Sequence, residues 1–185
     1  MLARMATGTP RFTENSADVL VFTFKEGLLS AVAHDLKIRV NRFAIHVDEA
    51  TRAIEATFDA RSLSVVTAMK DGADSLGALS DGDKKKIAEN IADDVLHPKK
   101  HPEIRFASTS VEEDESGAGY RVKGRLTLCG QTHEIAFVSR SDGEGQVAEI
   151  KLHQPTWGVK PFSAMLGTLK IKPDVLVRVA LPSAL

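Results

Sequence analysis

Polar and apolar residues alternate along most of this chain, and this period of two constrains the fold more than any other feature. In the most regular run, residues 120–128, Tyr, Val, Gly, Leu and Leu alternate with Arg, Lys, Arg and Thr. Successive side chains of a β-strand point to opposite faces, so the run predicts a strand with one apolar and one polar face. Sheets built from such strands bury one side only.

Further runs rich in β-branched and aromatic residues follow at hairpin spacing, and together they predict about eight strands. No alternation of strands with helices occurs, which argues against a parallel sheet and favours an antiparallel sandwich or barrel. The apolar positions slip by one residue at Arg42, which predicts a bulge or a sharp bend there. The fold class expected from the pattern is therefore mainly β.

One segment in the middle of the chain has helical periodicity instead. Ile87, Ile91 and Val95 recur every four residues, and Ser80 precedes Asp83 by three, close to a capping box. Pro98 cannot continue a helix. We therefore predict one inserted amphipathic α-helix over residues 81–96.

Length and composition narrow the class of protein. A chain of 185 residues corresponds to one domain at ~150 residues each, which we place at residues 18–185 after a flexible N-terminal segment, residues 1–17. The net charge of −1 and the 5% content of aromatic residues disfavour a nucleic-acid-binding protein. No apolar run approaches the ~18 residues of a transmembrane helix.

The first residues, MLARMATGTP, contain no apolar stretch of the kind found in secretory signals. The chain has a single cysteine, Cys129, which is compatible with a reducing compartment and excludes a disulfide framework. These features predict a cytoplasmic protein. Cys129 itself, beside a predicted turn, is interpreted as a small structural residue.

Catalytic and metal-binding motifs are weak in this sequence. It has no Gly-x-Ser-x-Gly elbow, no phosphate-binding glycine loop and no His-Glu-x-x-His run. His97 and His101 have the spacing of a helical ligand pair, but a proline follows each of them, so a helix through both is improbable. We therefore expect no metal and no cofactor.

Two polar or aromatic positions remain open to more than one interpretation. His34 shares a strand face with Leu36 and Ile38 and is either a core histidine with a backbone partner or a polar contact at a cavity mouth. Trp157, the single tryptophan, either plugs one end of a barrel or lines a ligand site.

Several motifs together resemble the YceI-like family over residues 18–181. The most specific is HPEIRFAST at 101–109, followed by YRVKGRLTLCGQT at 120–132. A Ser-x-Val-x-His start at 30–34 and an aromatic-Gly pair at 157–158 stand in the same order as in that family. The resemblance implies an antiparallel, lipocalin-like β-barrel with a helix beside it, which binds polyisoprenoids or fatty-acid derivatives inside. Many members of the family are periplasmic.

A hollow barrel is physically consistent with that role. A barrel of about eight strands has room for one small ligand, and the small residues Ala56, Ala60 and Gly124 on the inward faces leave volume. An alkyl or isoprenoid chain gains about 0.8 kcal/mol per buried CH₂, so about ten carbons offset the cost of association. We expect His34 to anchor the polar head of the ligand. The residues expected to line the cavity are Leu36, Ile38, Phe106, Leu126, Phe137 and Trp157.

The function favoured by the sequence is thus non-enzymatic carriage or sequestration of an amphiphilic lipid. Two alternatives remain at this point. One is a protein-interaction module with a filled barrel, which a large exposed apolar patch would indicate. The other is a small enzyme acting on a bound lipophile, with His34 or His133 as base. Barrel edges left open would allow homodimerisation.

Overall fold

A single curled antiparallel sheet carries the fold in this computed structural model, which describes residues 12–26, 34–115, 117–143 and 145–182. Most of the expected N-terminal segment, residues 1–11, and the start of the Ser-x-Val-x-His motif, residues 30–33, lie outside the described residues. Phe12 and Thr13, which the sequence assigns to that segment, form a short strand, and Phe12 is buried.

Fourteen strands are present in the described residues. In chain order they are β1 Phe12–Thr13, β2 Asp18–Thr23, β3 Asp35–Val40, β4 Phe43–Val47, β5 Ile54–Asp59, β6 Leu63–Lys70, β7 Ala73–Ser75, β8 Glu103–Glu113, β9 Gly119–Leu128, β10 Gln131–Ser141, β11 Gly145–His153, β12 Ser163–Ala164, β13 Leu169–Lys170 and β14 Asp174–Pro182.

Twelve of these strands form one sheet in the order β1-β4-β5-β8-β9-β10-β11-β14-β2-β3-β6-β7, while β12 and β13 pair only with each other. The mainly β, antiparallel, lipocalin-like class expected from the sequence is confirmed. The strand number is higher than the expected eight because several strands are only two or three residues long and because two long strands are divided by bends.

Those bends bring the two ends of the sheet together. The chain runs from β3 into β4 through Asn41 and Arg42, and from β5 into β6 through Ser62, although β3 and β6 stand near one end of the strand order and β4 and β5 near the other. The Asn41 amide donates to the Ser62 carbonyl and the Arg42 amide to Ser62 Oγ, each at 3.0 Å. The break at Arg42 confirms the predicted bend and curls the sheet around an interior.

The alternation of residues follows this curvature. On β9, Val122, Gly124, Leu126 and Leu128 are buried, while Arg121, Lys123 and Arg125 are exposed. The same register continues across neighbouring strands, since Leu126 pairs with Phe106 of β8. One apolar face of the sheet therefore points inward over its whole width, as the period of two predicts.

The inserted helix covers the β6 side of this sheet. Helix α1, Asp81–Asn90, continues into a π-helical segment, Ile91–Leu96, so the predicted bounds are confirmed but the last six residues are wound more loosely. Ser80 Oγ accepts from the Asp83 amide and the Asp83 side chain accepts from the Ser80 amide, which completes the predicted capping box. His97, in the left-handed region at φ 48°, ends the helix before Pro98.

No helix in the described part of the chain is long and apolar enough to cross a membrane.

Candidate ligand-binding cavity

The curled sheet lines a cavity of about 1140 Å³ that opens to solvent. Its wall comes from the inward faces of most strands of the large sheet and, on one side, from Ile87 of α1 and from Ile91 and Val95 of the π-helical segment. Aliphatic and aromatic side chains dominate the wall, which is the composition expected of a pocket for an apolar ligand. The interior of the barrel is therefore hollow and not filled by its own side chains.

Most of the residues predicted from the sequence meet at this cavity. The six that line it are His34, Leu36, Ile38, Phe106, Leu126 and Phe137. Leu36 and Ile38 follow His34 at intervals of two along β3, and the rings of Phe106 and Phe137 lie 5.8 Å apart, centroid to centroid. That these side chains contact a ligand stays a prediction.

Trp157 is the exception and corrects the predicted lining. It is 4% exposed and packs within the core, outside the cavity wall. Its Nε1 donates to the Leu126 carbonyl at 3.1 Å, and its ring meets His133 edge-on at 5.5 Å. A buried indole N–H needs an acceptor, and the Leu126 carbonyl provides it while holding the ring behind the wall.

The small inward residues do not all create free volume. Ala56 lines the cavity, whereas Ala60 is buried elsewhere and Gly124 lies under the ring of Phe106. The space expected from the glycine is thus occupied by the phenylalanine. The cavity owes its size to the curvature of the sheet as well as to small side chains.

The sequence analysis missed one polar group of the cavity, which lies across from β3 at the position two residues along the chain from His34. Thr23 is the last residue of β2, pairs with Leu36 and lines the cavity. Its Oγ1 is buried and has no hydrogen-bond partner among the described residues. The alternation of Val19, Val21 and Thr23 along β2 was the signal that could have placed it on the inward face.

A second polar region lies where the β4–β5 turn meets β9. Arg52 and Tyr120 both line the cavity, with the guanidinium carbon 5.3 Å from the ring centroid. Arg52 also forms an ion pair with Glu113 at 3.0 Å. The cavity is therefore apolar along its walls and polar in at least two places, which suits a molecule with a long tail and a polar head.

Of the two histidines considered as catalytic bases, only His34 lines the cavity. His133 does not line the cavity, and its Nε2 lies 3.5 Å from Gln131 Oε1. Among the described residues, no three His, Cys, Asp or Glu side chains are grouped so that they could hold a metal ion. Burial raises the pKa of the Cys129 thiol, whose Sγ points to the Leu96 carbonyl at 3.6 Å, so this cysteine lacks the features of a nucleophile.

Comparison with sequence families gives one match. The model of the YceI-like domain matches residues 14–182. No curated protein matches the chain.

Solved structures share the fold at low sequence identity. BcnA of Burkholderia cenocepacia is 17% identical, with a TM-score of 0.62 over 91% of this chain and 96% of that one. The YceI protein of Campylobacter jejuni is 14% identical, with a TM-score of 0.60 over 86% and 90%. A polyisoprenoid-binding domain from Saccharophagus degradans is 10% identical, with a TM-score of 0.53 over 94% of this chain and all of that domain.

Proposed function

Because this chain belongs to the YceI-like family, we propose that it binds an amphiphilic lipid inside its barrel and carries or sequesters it unchanged. The observation that carries the proposal is the cavity of about 1140 Å³ with its apolar wall. A structural neighbour described as a polyisoprenoid-binding domain supports the same ligand class. Polyisoprenoids and fatty-acid derivatives are the candidates.

Burial of the tail supplies the affinity. At about 0.8 kcal/mol per CH₂, ten buried carbons contribute roughly 8 kcal/mol, which is comparable to the cost of association. Ile38, Leu126 and Val177 offer the aliphatic contacts along the wall. No activated nucleophile or metal is needed for such binding, so carriage explains the site with fewer requirements than catalysis does.

A polar anchor is needed to orient the ligand, and His34 and Thr23 would provide it. Both residues line the cavity, and the buried Thr23 Oγ1 lacks a partner among the described residues. A hydroxyl or carbonyl group on the lipid would satisfy that oxygen, which otherwise bears a desolvation cost. The head group would then sit beside the end of β2, with the tail running between the apolar walls.

Native mass spectrometry of freshly purified protein tests the proposal. We expect a reproducible mass increment from one bound lipid, and recovery of that lipid with its mass unchanged after incubation. Protein stripped of lipid should then take up an added polyisoprenol or fatty acid. An empty barrel that ignores both added lipids would refute carriage, and a chemically altered lipid would favour the enzyme.

His34→Ala separates the carrier from its two alternatives. A carrier should keep its tail contacts and lose part of its affinity, whereas an enzyme should lose turnover and keep most of its binding. A protein-interaction module would bind its partner equally well with either residue at position 34. Such a module has a filled interior, and the cavity argues against that.

A further inference from the structure

Two consecutive apolar side chains stand in solvent at the tip of the β12–β13 hairpin. Met165 is 64% exposed and Leu166 fully exposed, at 108% of the reference value. Both residues have φ in the left-handed region, at 53° and 54°. Among the described residues, only Leu76 is a large hydrophobic residue of comparable exposure, at 85%. A cluster of exposed apolar side chains marks a surface that contacts a membrane or another molecule.

The hairpin that presents them is firmly attached to the barrel. Its strands pair Ser163 with Lys170, and the Glu26 amide donates to the Lys170 carbonyl at 2.8 Å. The Lys172 amide donates to the Phe24 carbonyl, also at 2.8 Å. The tip therefore projects from a fixed base that is bonded to the chain beyond the end of β2.

The base of the same hairpin lines the cavity. Phe162, Leu169 and Ile171 all contribute to the cavity wall, and Ile171 bridges to Lys25. The hairpin therefore has its base in the cavity wall and its tip in solvent. A membrane or molecule that contacts the tip lies next to the cavity.

Three lysines flank the tip along the chain. Lys160, Lys170 and Lys172 are exposed in the segment that carries the hairpin, and the side chain of Lys170 extends towards Gly167 in the turn. Lys25 is exposed on the neighbouring chain segment. The acidic residues on neighbouring segments are Glu26, Asp94 and Asp35, whose Oδ1 accepts from the Lys25 amide at 2.8 Å. Segment 160–172, which carries the hairpin, has three lysines and no Asp or Glu. This local surplus contrasts with the net charge of −1 of the whole chain.

We propose that Met165 and Leu166 insert into the surface of an anionic lipid bilayer while the flanking lysines contact its head groups. Shallow apolar insertion and electrostatic attraction are each weak alone, but together they hold a protein at a membrane surface. A stable protein partner would need about 800 Å² on this side, far more than a two-residue tip offers. The proposal concerns how the protein meets a membrane and does not depend on what fills the cavity.

Flotation with vesicles tests the proposal on the full-length protein. We expect binding to phosphatidylcholine vesicles that contain phosphatidylglycerol, weaker binding to pure phosphatidylcholine, and loss of binding at high salt. Leu166→Ser should lower partitioning by roughly tenfold, because it removes the burial of one large aliphatic side chain. Combined replacement of Lys160, Lys170 and Lys172 by Gln should abolish the preference for anionic vesicles.

Leu76→Ser is the matched control, since Leu76 is also largely exposed, at 85%, but lies in another loop, between β7 and the helix. It should bind vesicles like the wild type. The proposal is overturned if the wild-type protein ignores anionic vesicles, or if Leu76→Ser weakens binding as much as Leu166→Ser does. A concentration-dependent dimer in light scattering that Leu166→Ser abolishes would also overturn it, in favour of a contact between two copies.

The same variants distinguish this proposal from lipid carriage. Leu166→Ser should keep the bound lipid seen by native mass spectrometry, because the side chain lies outside the cavity wall. Membrane binding without any cavity lipid would leave the surface proposal intact and refute carriage.

Discussion

The ring of Phe106 on β8 lies directly over Gly124 on β9. A Cβ at residue 124 would stand 2.5 Å from two ring carbons of Phe106 and 2.6 Å from the Ala107 carbonyl oxygen. Only glycine lets the aromatic ring lie this close to the neighbouring strand. Because Phe106 lines the cavity, this contact sets the position of one part of its wall.

Gly124→Ala should therefore destabilise the barrel. The Phe106 ring can rotate away, but the Ala107 oxygen belongs to the backbone of a paired strand and cannot. Overpacking of this kind costs about 1–3 kcal/mol. Urea unfolding followed by the fluorescence of Trp157 measures it.

Gly82→Ala is the control for this substitution. Residue 82 lies in the first turn of α1, and a Cβ there meets only Ser80 Oγ at 3.7 Å. Since alanine favours helix over glycine by up to about 1 kcal/mol, this variant should be as stable as the wild type or more so. If Gly124→Ala and Gly82→Ala were equally stable, the structure around residue 124 would accommodate the added methyl group without loss of stability.

The sequence predicted the faces of strands better than the contacts between them. Alternation placed Leu36, Ile38 and Leu126 on the inward side because a period of two is a local property of the chain. It could not show that Phe106 would cover Gly124, since the two residues meet only through the pairing of β8 with β9. For the same reason, the sequence alone suggested that Gly124 leaves free volume inside the barrel.

Residues in turns and at strand ends escaped prediction for a related reason. Arg52 lies in a turn, and its contact with Tyr120 depends on how β5 and β8 bring that turn to β9. Trp157 sits in a short 3₁₀ turn after β11, so no periodicity indicated which side of the wall it would occupy. The hollow interior follows from the bends at Asn41–Arg42 and at Ser62. The slip of the apolar positions indicated the first bend, but the hydrogen bond that joins the two bends, from the Asn41 amide to the Ser62 carbonyl, links residues distant in the sequence.

Narrowing the cavity should reduce lipid binding without unfolding the protein. Ala148 of β11 lines the cavity, and Ala148→Phe would project a ring into space that is now empty. We expect a clear fall in the fraction of lipid-bound protein in native mass spectra, with the thermal midpoint changed by only a few degrees because the ring enters a void.

Ala136→Phe provides the comparison, because Ala136 lies exposed on the neighbouring strand β10. It adds the same ring on the outside and should leave lipid binding unchanged. Undiminished lipid binding by a folded Ala148→Phe variant would place the ligand elsewhere than in this cavity.

The carboxylate of Asp174 should make stability depend on pH in the acid range. Lys151 Nζ lies 2.8 Å and His153 Nδ1 2.7 Å from its two oxygens. These hydrogen bonds, with that from Lys151 the largest cause, lower the pKa of Asp174 below its ordinary value of 3.8. A lowered pKa stabilises the fold above pH 3.8, and this contribution is lost as the pH falls through the folded-state pKa.

Asp174→Asn should accordingly be less stable than the wild type near neutral pH, and the two should converge in acid. Urea midpoints measured from about pH 2 to pH 7 follow the difference. In a Lys151→Gln background the effect of Asp174→Asn should shrink, because the first partner is gone. A stability difference that stays constant over the whole pH range would contradict the assigned contacts.

Thr23→Val should have different effects on the stability of the lipid-free protein and on its affinity for ligand. The variant keeps the shape of the side chain and removes a buried hydroxyl that has no partner among the described residues. Leaving a buried polar group unsatisfied costs about 1–3 kcal/mol. The lipid-free variant should therefore be at least as stable as the wild type in urea unfolding.

Its affinity for a lipid with a hydroxyl head should fall, by roughly five- to tenfold for the loss of one net hydrogen bond of about 1 kcal/mol. Binding of a hydrocarbon with the same tail and no head group should not change.

Thr67→Val is the matched control, because Thr67 is buried outside the cavity and its Oγ1 donates to the Ser75 carbonyl at 3.2 Å. That variant should lose stability and keep its ligand affinity, so the two threonines are expected to respond in opposite ways. An equal loss of affinity for the alcohol and the hydrocarbon in Thr23→Val would mean that the head group is held elsewhere, with Arg52 and Tyr120 as the next polar region to replace.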